Sequence, residues 1–207
     1  MLIIHAHLHT MAGADIADGY LRTEGNQIAE LGGMPVEPKP GEEVIDAQGA
    51  GLYPGFVDAH THLGMWEDGL TFEGDDGNEE TDPVTPQLRA IDAINPVDRC
   101  FQEALHAGVT TVVTGPGSAN AIGGQMAAVK TYGSCIDHMI VKAPFAIKMA
   151  LGENPKSVYH GKNQAPSTRM STAALIREQL YKAKRYQEEM ERAEKDEDFD
   201  MPEFDMK

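Results

Sequence analysis

The sequence predicts an α/β protein in which a segment of short strands and turns precedes strands that alternate with helices. Three observations carry that prediction. Residues 1 to about 53 hold short β-prone runs parted by turn residues, with no helical period of useful length. After a Pro54-Gly55 entry, Phe56 and Val57 lead into a strand that ends in His60-Thr61-His62. From Thr85 onward, helical spacing is followed by the continuous β-branched run Val109–Thr114, which is one half of a repeating strand–helix unit.

Composition narrows the function classes. At 207 residues the chain can bury one substantial core, or one domain plus part of another. Its 33 acidic and 17 basic residues give a formal net charge of -16. Nucleic acid and anionic membranes need a basic surface, so neither is expected as a partner, whereas a small-molecule substrate is compatible. No basic leader and no apolar run of roughly 18 residues is visible, so a cytoplasmic protein is expected. Cys100 and Cys135 fit no zinc or redox spacing and read as reduced structural thiols.

In chain order, Leu2-Ile3-Ile4 begins a strand, Met11–Asp15 is a turn, and Gly19–Thr23 is a second strand. Gly25-Asn26 turns the chain into Gln27–Leu31, and Val44–Ala47 is another short strand after the Pro/Gly-rich stretch 35–41. His5, His7 and His9 alternate on one face of the first strand. They are expected to be ordinary strand residues, because a metal site needs a third converging ligand type and a pocket. Tyr53, Phe56 and Val57 predict a buried strand. Alternation sends His60 and His62 to one face, where paired imidazoles can hold a divalent ion. Asp58 shares that face and could accept an imidazole N–H, which fixes a ligand's tautomer.

The loop from Trp66 to Asp82 carries eight carboxylates and no base; it is either a wall over the site or a solvated excursion. Leu88, Ile91, Ala93 and Ile94 predict a short helix, and Val97, Phe101, Ala104 and Leu105 predict a second one stopping at Gly108. The Gly-rich loop 115–124 lacks the spacing of a phosphate-binding loop. Met139-Ile-Val and Phe145–Leu151 are further apolar runs, and 157–170 reads as polar and turn-rich. Ser171 or Thr172 can cap a final helix of about twenty residues to Met190, with laced charges such as Arg185/Glu189 and Lys184/Glu188.

The string PGFVDAHTHLG (54–64) closely resembles the signature opening the barrel of the metal-dependent amidohydrolase superfamily, and AGVTTVVTG (107–115) is similar to its second barrel strand. Within the superfamily the chain looks most like the imidazolonepropionase-like and prolidase-like branch. The resemblance implies an incomplete (β/α)8 TIM barrel of about three strands, preceded by part of a small β-sandwich. The implied organisation is 1–53 in the sandwich, 54–190 in the barrel, and 191–207 as an acidic linker or frayed end.

The same resemblance implies a divalent metal, zinc for preference, held by His60 and His62. Glu153, at the end of the third strand and needing no modification, is the expected oxygen ligand; Lys148, within that strand and carboxylated, is the alternative. Ser118, Asn120 and Gln125, at the rim after the second strand, become candidate substrate contacts. The general-base aspartate and the later histidines of the superfamily have no counterpart here, so they are expected beyond Lys207. The chain thus reads as an N-terminal part of a hydrolase acting on the C–N bond of an amide, cyclic amide or dipeptide, and inactive alone. The alternatives are a non-catalytic metal-binding or interaction protein, and one part of a split enzyme whose other barrel half is a partner chain; a homo-oligomer is also open.

Overall fold

The computed structural model describes residues 1–68 and 70–207. The chain divides into two compact units, Met1–Gly55 and Phe56–Lys207. In the first, β1 (Leu2–Leu8) lies inside a sheet with β2 (Ile16–Glu24), β3 (Gln27–Gly33), β4 (Val44–Asp46) and β5 (Gly51–Leu52). The order is β3-β2-β1-β4, with β5 also on β1; β2 runs antiparallel to β1, and β4 and β5 run parallel to it. Leu2, Ala6 and Leu8 are buried and fix which face of β1 points inward. Arg22 is buried beside them and is held by Glu42, Glu30 and the Glu37 carbonyl, so the charge does not stand unpaired.

The second unit is built on a four-stranded sheet, β6 (Phe56–Thr61), β7 (Val109–Thr114), β8 (Ile122–Lys130) and β9 (Ile140–Met149), in that order. β6 and β7 are parallel, while β8 runs antiparallel to both of its neighbours. The ends of β6, β7 and β9 and the start of β8 therefore lie toward one rim. One face of the sheet, with Val112, Ala127 and Val129, packs on Phe101 of α1 (Arg99–His106) and on Met139 of α2 (Ile136–Met139). Burying a side chain the size of Phe101 contributes about 1.5–3 kcal/mol. Val113, Met126 and Ala128 form a separate cluster on the intervening positions. Asp98 starts α1 by accepting the Cys100 amide, and Gly108 follows its end.

Several expectations need correction. β6 is not buried: it forms a sheet edge among the described residues, with Phe56 54% and Val57 66% exposed and only Thr61 buried. The helix expected over Leu88–Ile94 is only a short 3-10 turn, Ala90–Asp92. Its neighbouring backbone is given to β8 instead, through Thr85 N–H to Ile122 O and Gln125 N–H to Leu88 O. Gly124 permits that approach, since a Cβ there would lie 2.8 Å from the Leu88 carbonyl oxygen. The polar stretch at 157–170 begins inside α3 (Glu153–Gly161). The last helix, α4 (Arg169–Ala193), is longer than expected and is capped by Thr168, which accepts the Ser171 amide. The Arg185–Glu189 and Lys184–Glu188 pairs do form along it.

Candidate metal centre

His60 lies near the end of β6 and His62 just past it, with ring centroids 5.2 Å apart. His62 Nδ1 lies 2.6 Å from the Gly115 carbonyl oxygen. A carbonyl can only accept, so Nδ1 carries the proton and Nε2 keeps its lone pair for a ligand. The orienting acceptor is thus the first glycine of the loop after β7. Nothing in the residue types announced it, because any residue supplies a carbonyl. Trp66 meets the His62 ring edge to face at 5.1 Å. Gly77 lets it sit there, since a Cβ on Gly77 would fall 1.9 Å from the indole.

Lys148, opposite Gly124 near the end of β9, reaches His60 across the sheet face, its Nζ 3.0 Å from His60 Nε2. An ammonium can only donate, so while Lys148 is charged Nε2 of His60 is the unprotonated nitrogen. Half-burial pulls the Lys148 ammonium below its ordinary pKa. The Lys148 charge first, then desolvation and the neighbouring His62, hold His60 below the usual histidine value. Both shifts favour neutral donors, the form a metal ion requires.

The other expected residues fare differently. The Asp58 carboxylate accepts the main-chain amide of His60 at 3.2 Å, so it steadies the bulged strand end rather than an imidazole N–H. Glu153 is the first residue of α3 and lines a polar hollow with Lys156, His160 and Arg169; the lining includes neither His60 nor His62. Asn120 is 2% exposed, its amide donating to Thr85 Oγ1 and its carbonyl accepting from the Tyr159 hydroxyl at 2.6 Å. That corrects its reading as a substrate contact, because both ends of the side chain are engaged inside the fold. Gln125 donates to the Pro86 carbonyl and lines a separate hollow with Arg89 and Pro144. Ser118 is half-buried in the rim loop. The acidic loop is fastened to that rim, with Gly117 N–H on the Gly77 carbonyl and Ala119 N–H on Asn78 Oδ1.

Two imidazoles, His62 with Nε2 unprotonated and His60 with Nε2 facing Lys148, form a donor set that a divalent ion could use once the lysine sheds its charge. No protein-family model matches the chain. A solved structure of an amidohydrolase from Thermotoga maritima MSB8 matches it with a TM-score of 0.91 and 40% identity, over 99% of this chain and 52% of that one. The amidohydrolase tasK of Hapsidospora irregularis is 34% identical over 162 residues, 72% of this chain and 16% of that protein. An adenine deaminase of Listeria monocytogenes is 26% identical over 170 residues, 80% of this chain and 24% of that protein. The chain thus spans about half of the solved relative and a quarter or less of these curated ones. In sequence and in fold, the chain belongs to the amidohydrolase superfamily and corresponds to the N-terminal part of the proteins it matches.

Proposed function

We propose that the chain is the N-terminal part of a metal-dependent hydrolase that cleaves a C–N bond in a small amide, cyclic amide or dipeptide. The carrying observation is the meeting of Lys148 with His60 at 3.0 Å, beside a His62 whose tautomer is fixed by Gly115. On this reading, the parallel strands β6, β7 and β9 open a (β/α)8 barrel into which the antiparallel β8 is inserted, and the first unit belongs to a small β-sandwich. Relatives named as amidohydrolases and as a deaminase support the bond type, not the substrate.

His60, His62 and Lys148 would hold the ion, with zinc preferred because imidazole donors suit it. When bound, such an ion polarises a carbonyl and lowers the pKa of water. His62 offers Nε2 because Gly115 holds its other nitrogen. While Lys148 is still an ammonium, its charge penalises protonation of His60. As an ammonium, Lys148 would repel a cation; desolvation favours its neutral amine, which can add to carbon dioxide, release a proton and present a carboxylate. Lys148 is therefore preferred to Glu153 as the oxygen donor. The general base would come from further strands of the parent protein. Those strands, or a partner chain, would pair at the exposed edges β6 and β9, where Val57, Val141, Phe145 and Ile147 face solvent. Amide hydrolysis is expected to be absent from the 207-residue chain alone.

Zinc titration read through Trp66, the sole tryptophan, tests the site, because its ring touches His62. Zinc should change the emission saturably. His62→Ala and Lys148→Met should weaken that response about tenfold or more, whereas Glu153→Ala should leave it unchanged. A response that survives His62→Ala intact refutes the assignment.

A further inference from the structure

We propose a second metal site in the first unit, formed by His7, His9 and Asp15 and taking one divalent transition-metal ion such as zinc. It is independent of the reading given to His60 and His62. The site follows from register. Ala6 and Leu8 point into the core, so His7, and His9 two residues on, fall on the opposite face. The turn after β1 returns the chain with Leu8 opposite Ile16, which sets Asp15 across from His9. A carboxylate six residues away in sequence thereby becomes the third ligand that alternation along one strand lacked.

The distances suit a small ion. Asp15 Oδ2 lies 2.8 Å from His9 Nδ1 and 4.0 Å from His7 Nε2. One donor atom from each residue falls within 4.8 Å of the others. Zinc bonds of about 2.0–2.1 Å put tetrahedral ligands roughly 3.3–3.4 Å apart, which lies between the two carboxylate distances. Small side-chain shifts close the site, and the ion replaces any proton shared between His9 and Asp15.

The rings are also held in place. His9 stacks between His7 and Tyr53, with centroids 4.3 Å away on each side. Ordering the imidazoles in advance removes much of the rotamer entropy that chelation otherwise costs. His5 takes no part, since its Nδ1 faces Asp46 at 3.1 Å. The His7, His9 and Asp15 side chains are 41%, 20% and 49% exposed, so water can reach the remaining coordination positions. Two imidazoles and one carboxylate favour zinc, copper or nickel over calcium or magnesium, which prefer oxygen-only shells.

The test uses the full chain carrying His60→Asn and His62→Asn, which removes the barrel-rim ligands. Calorimetric titration with zinc should show one equivalent bound, with no comparable binding of calcium or magnesium. Adding His9→Gln or Asp15→Asn should weaken that binding by about tenfold or more, while His5→Gln should not. Histidine NMR signals of His7 and His9 should shift with zinc in the parent variant, a readout that needs no destabilising substitution. Absence of zinc binding in that variant, or binding indifferent to both His9→Gln and Asp15→Asn, overturns the proposal. Trp66 emission of the wild-type chain separates it from the rim site: failure of that site alone leaves one equivalent bound by the double variant and no Trp66 response, whereas failure of this one leaves the Trp66 response and no equivalent in the double variant.

Discussion

Replacing Asn120 with leucine keeps the branched outline of the side chain but deletes an amide that links Tyr159 to Thr85. Tyr159 is fully buried, and burial, reinforced by the charges of Asp82, Glu80 and Glu79, raises its phenol so that the hydroxyl remains a donor. In Asn120→Leu that donor keeps only a long 3.4 Å approach to the Glu79 carbonyl. An orphaned buried hydroxyl costs about 1–3 kcal/mol, whereas Thr85 still donates to Gly123 and loses little. Tyr159→Phe orphans the Asn120 carbonyl at a similar cost of about 1–3 kcal/mol. In the double variant neither orphan exists, so its loss should fall below the sum of the singles by about 1–2 kcal/mol. Urea unfolding followed by circular dichroism measures the cycle, and each kcal/mol corresponds to about 2–4 °C in Tm for a chain of this length. Additivity within about 0.5 kcal/mol would refute the shared hydrogen bond and reopen Asn120 as a surface contact.

Two further outcomes are expected. The Cys100 thiol is pushed up to about 11 by burial, so at pH 8 only about one molecule in a thousand carries its thiolate, while Cys135 is exposed. A thiol reagent at pH 8 should therefore modify one cysteine quickly and the second only near pH 11 or after unfolding; two equal fast phases would contradict the packing around Cys100. Gly77→Ala should displace Trp66, because the added methyl would overlap the indole, and should shift its emission to longer wavelength. Unchanged emission in that variant would mean that the ring does not rest on Gly77.

The features legible in the sequence were those that depend on local pattern. β7 was plain from its run of β-branched residues, and α1 from apolar spacing that stops at Gly108. His60 and His62 stood out through their spacing and the string around them. β8 was missed because Gly123 and Gly124 interrupt its apolar run, and Gly124 admits the Leu88 backbone. The short helix expected at Leu88–Ile94 failed for the same reason: the Leu88 carbonyl that would open it accepts from Gln125 of β8, which no local period records. The site divides the same way. Spacing located two imidazoles, but the choice of Lys148 as their neighbour, the Gly115 acceptor and the return of Asp15 to His9 all depend on strand register. Exposure of β6 was also outside the pattern, since an apolar strand at a sheet edge reads like one inside it.

The contact of Lys148 with His60 joins residues 88 apart in the chain. Closing a loop of that length costs about 4 kcal/mol in chain entropy, which pairing along β7, β8 and β9 must overcome before the two side chains meet. The rim donors therefore meet only once β9 is in place. An ion that binds them then acts as a staple between the edge strands. At a hundred times its dissociation constant it would stabilise the folded chain by about 2.7 kcal/mol. Metal supply would then govern how long the open sheet edges persist, as well as whether the centre can work.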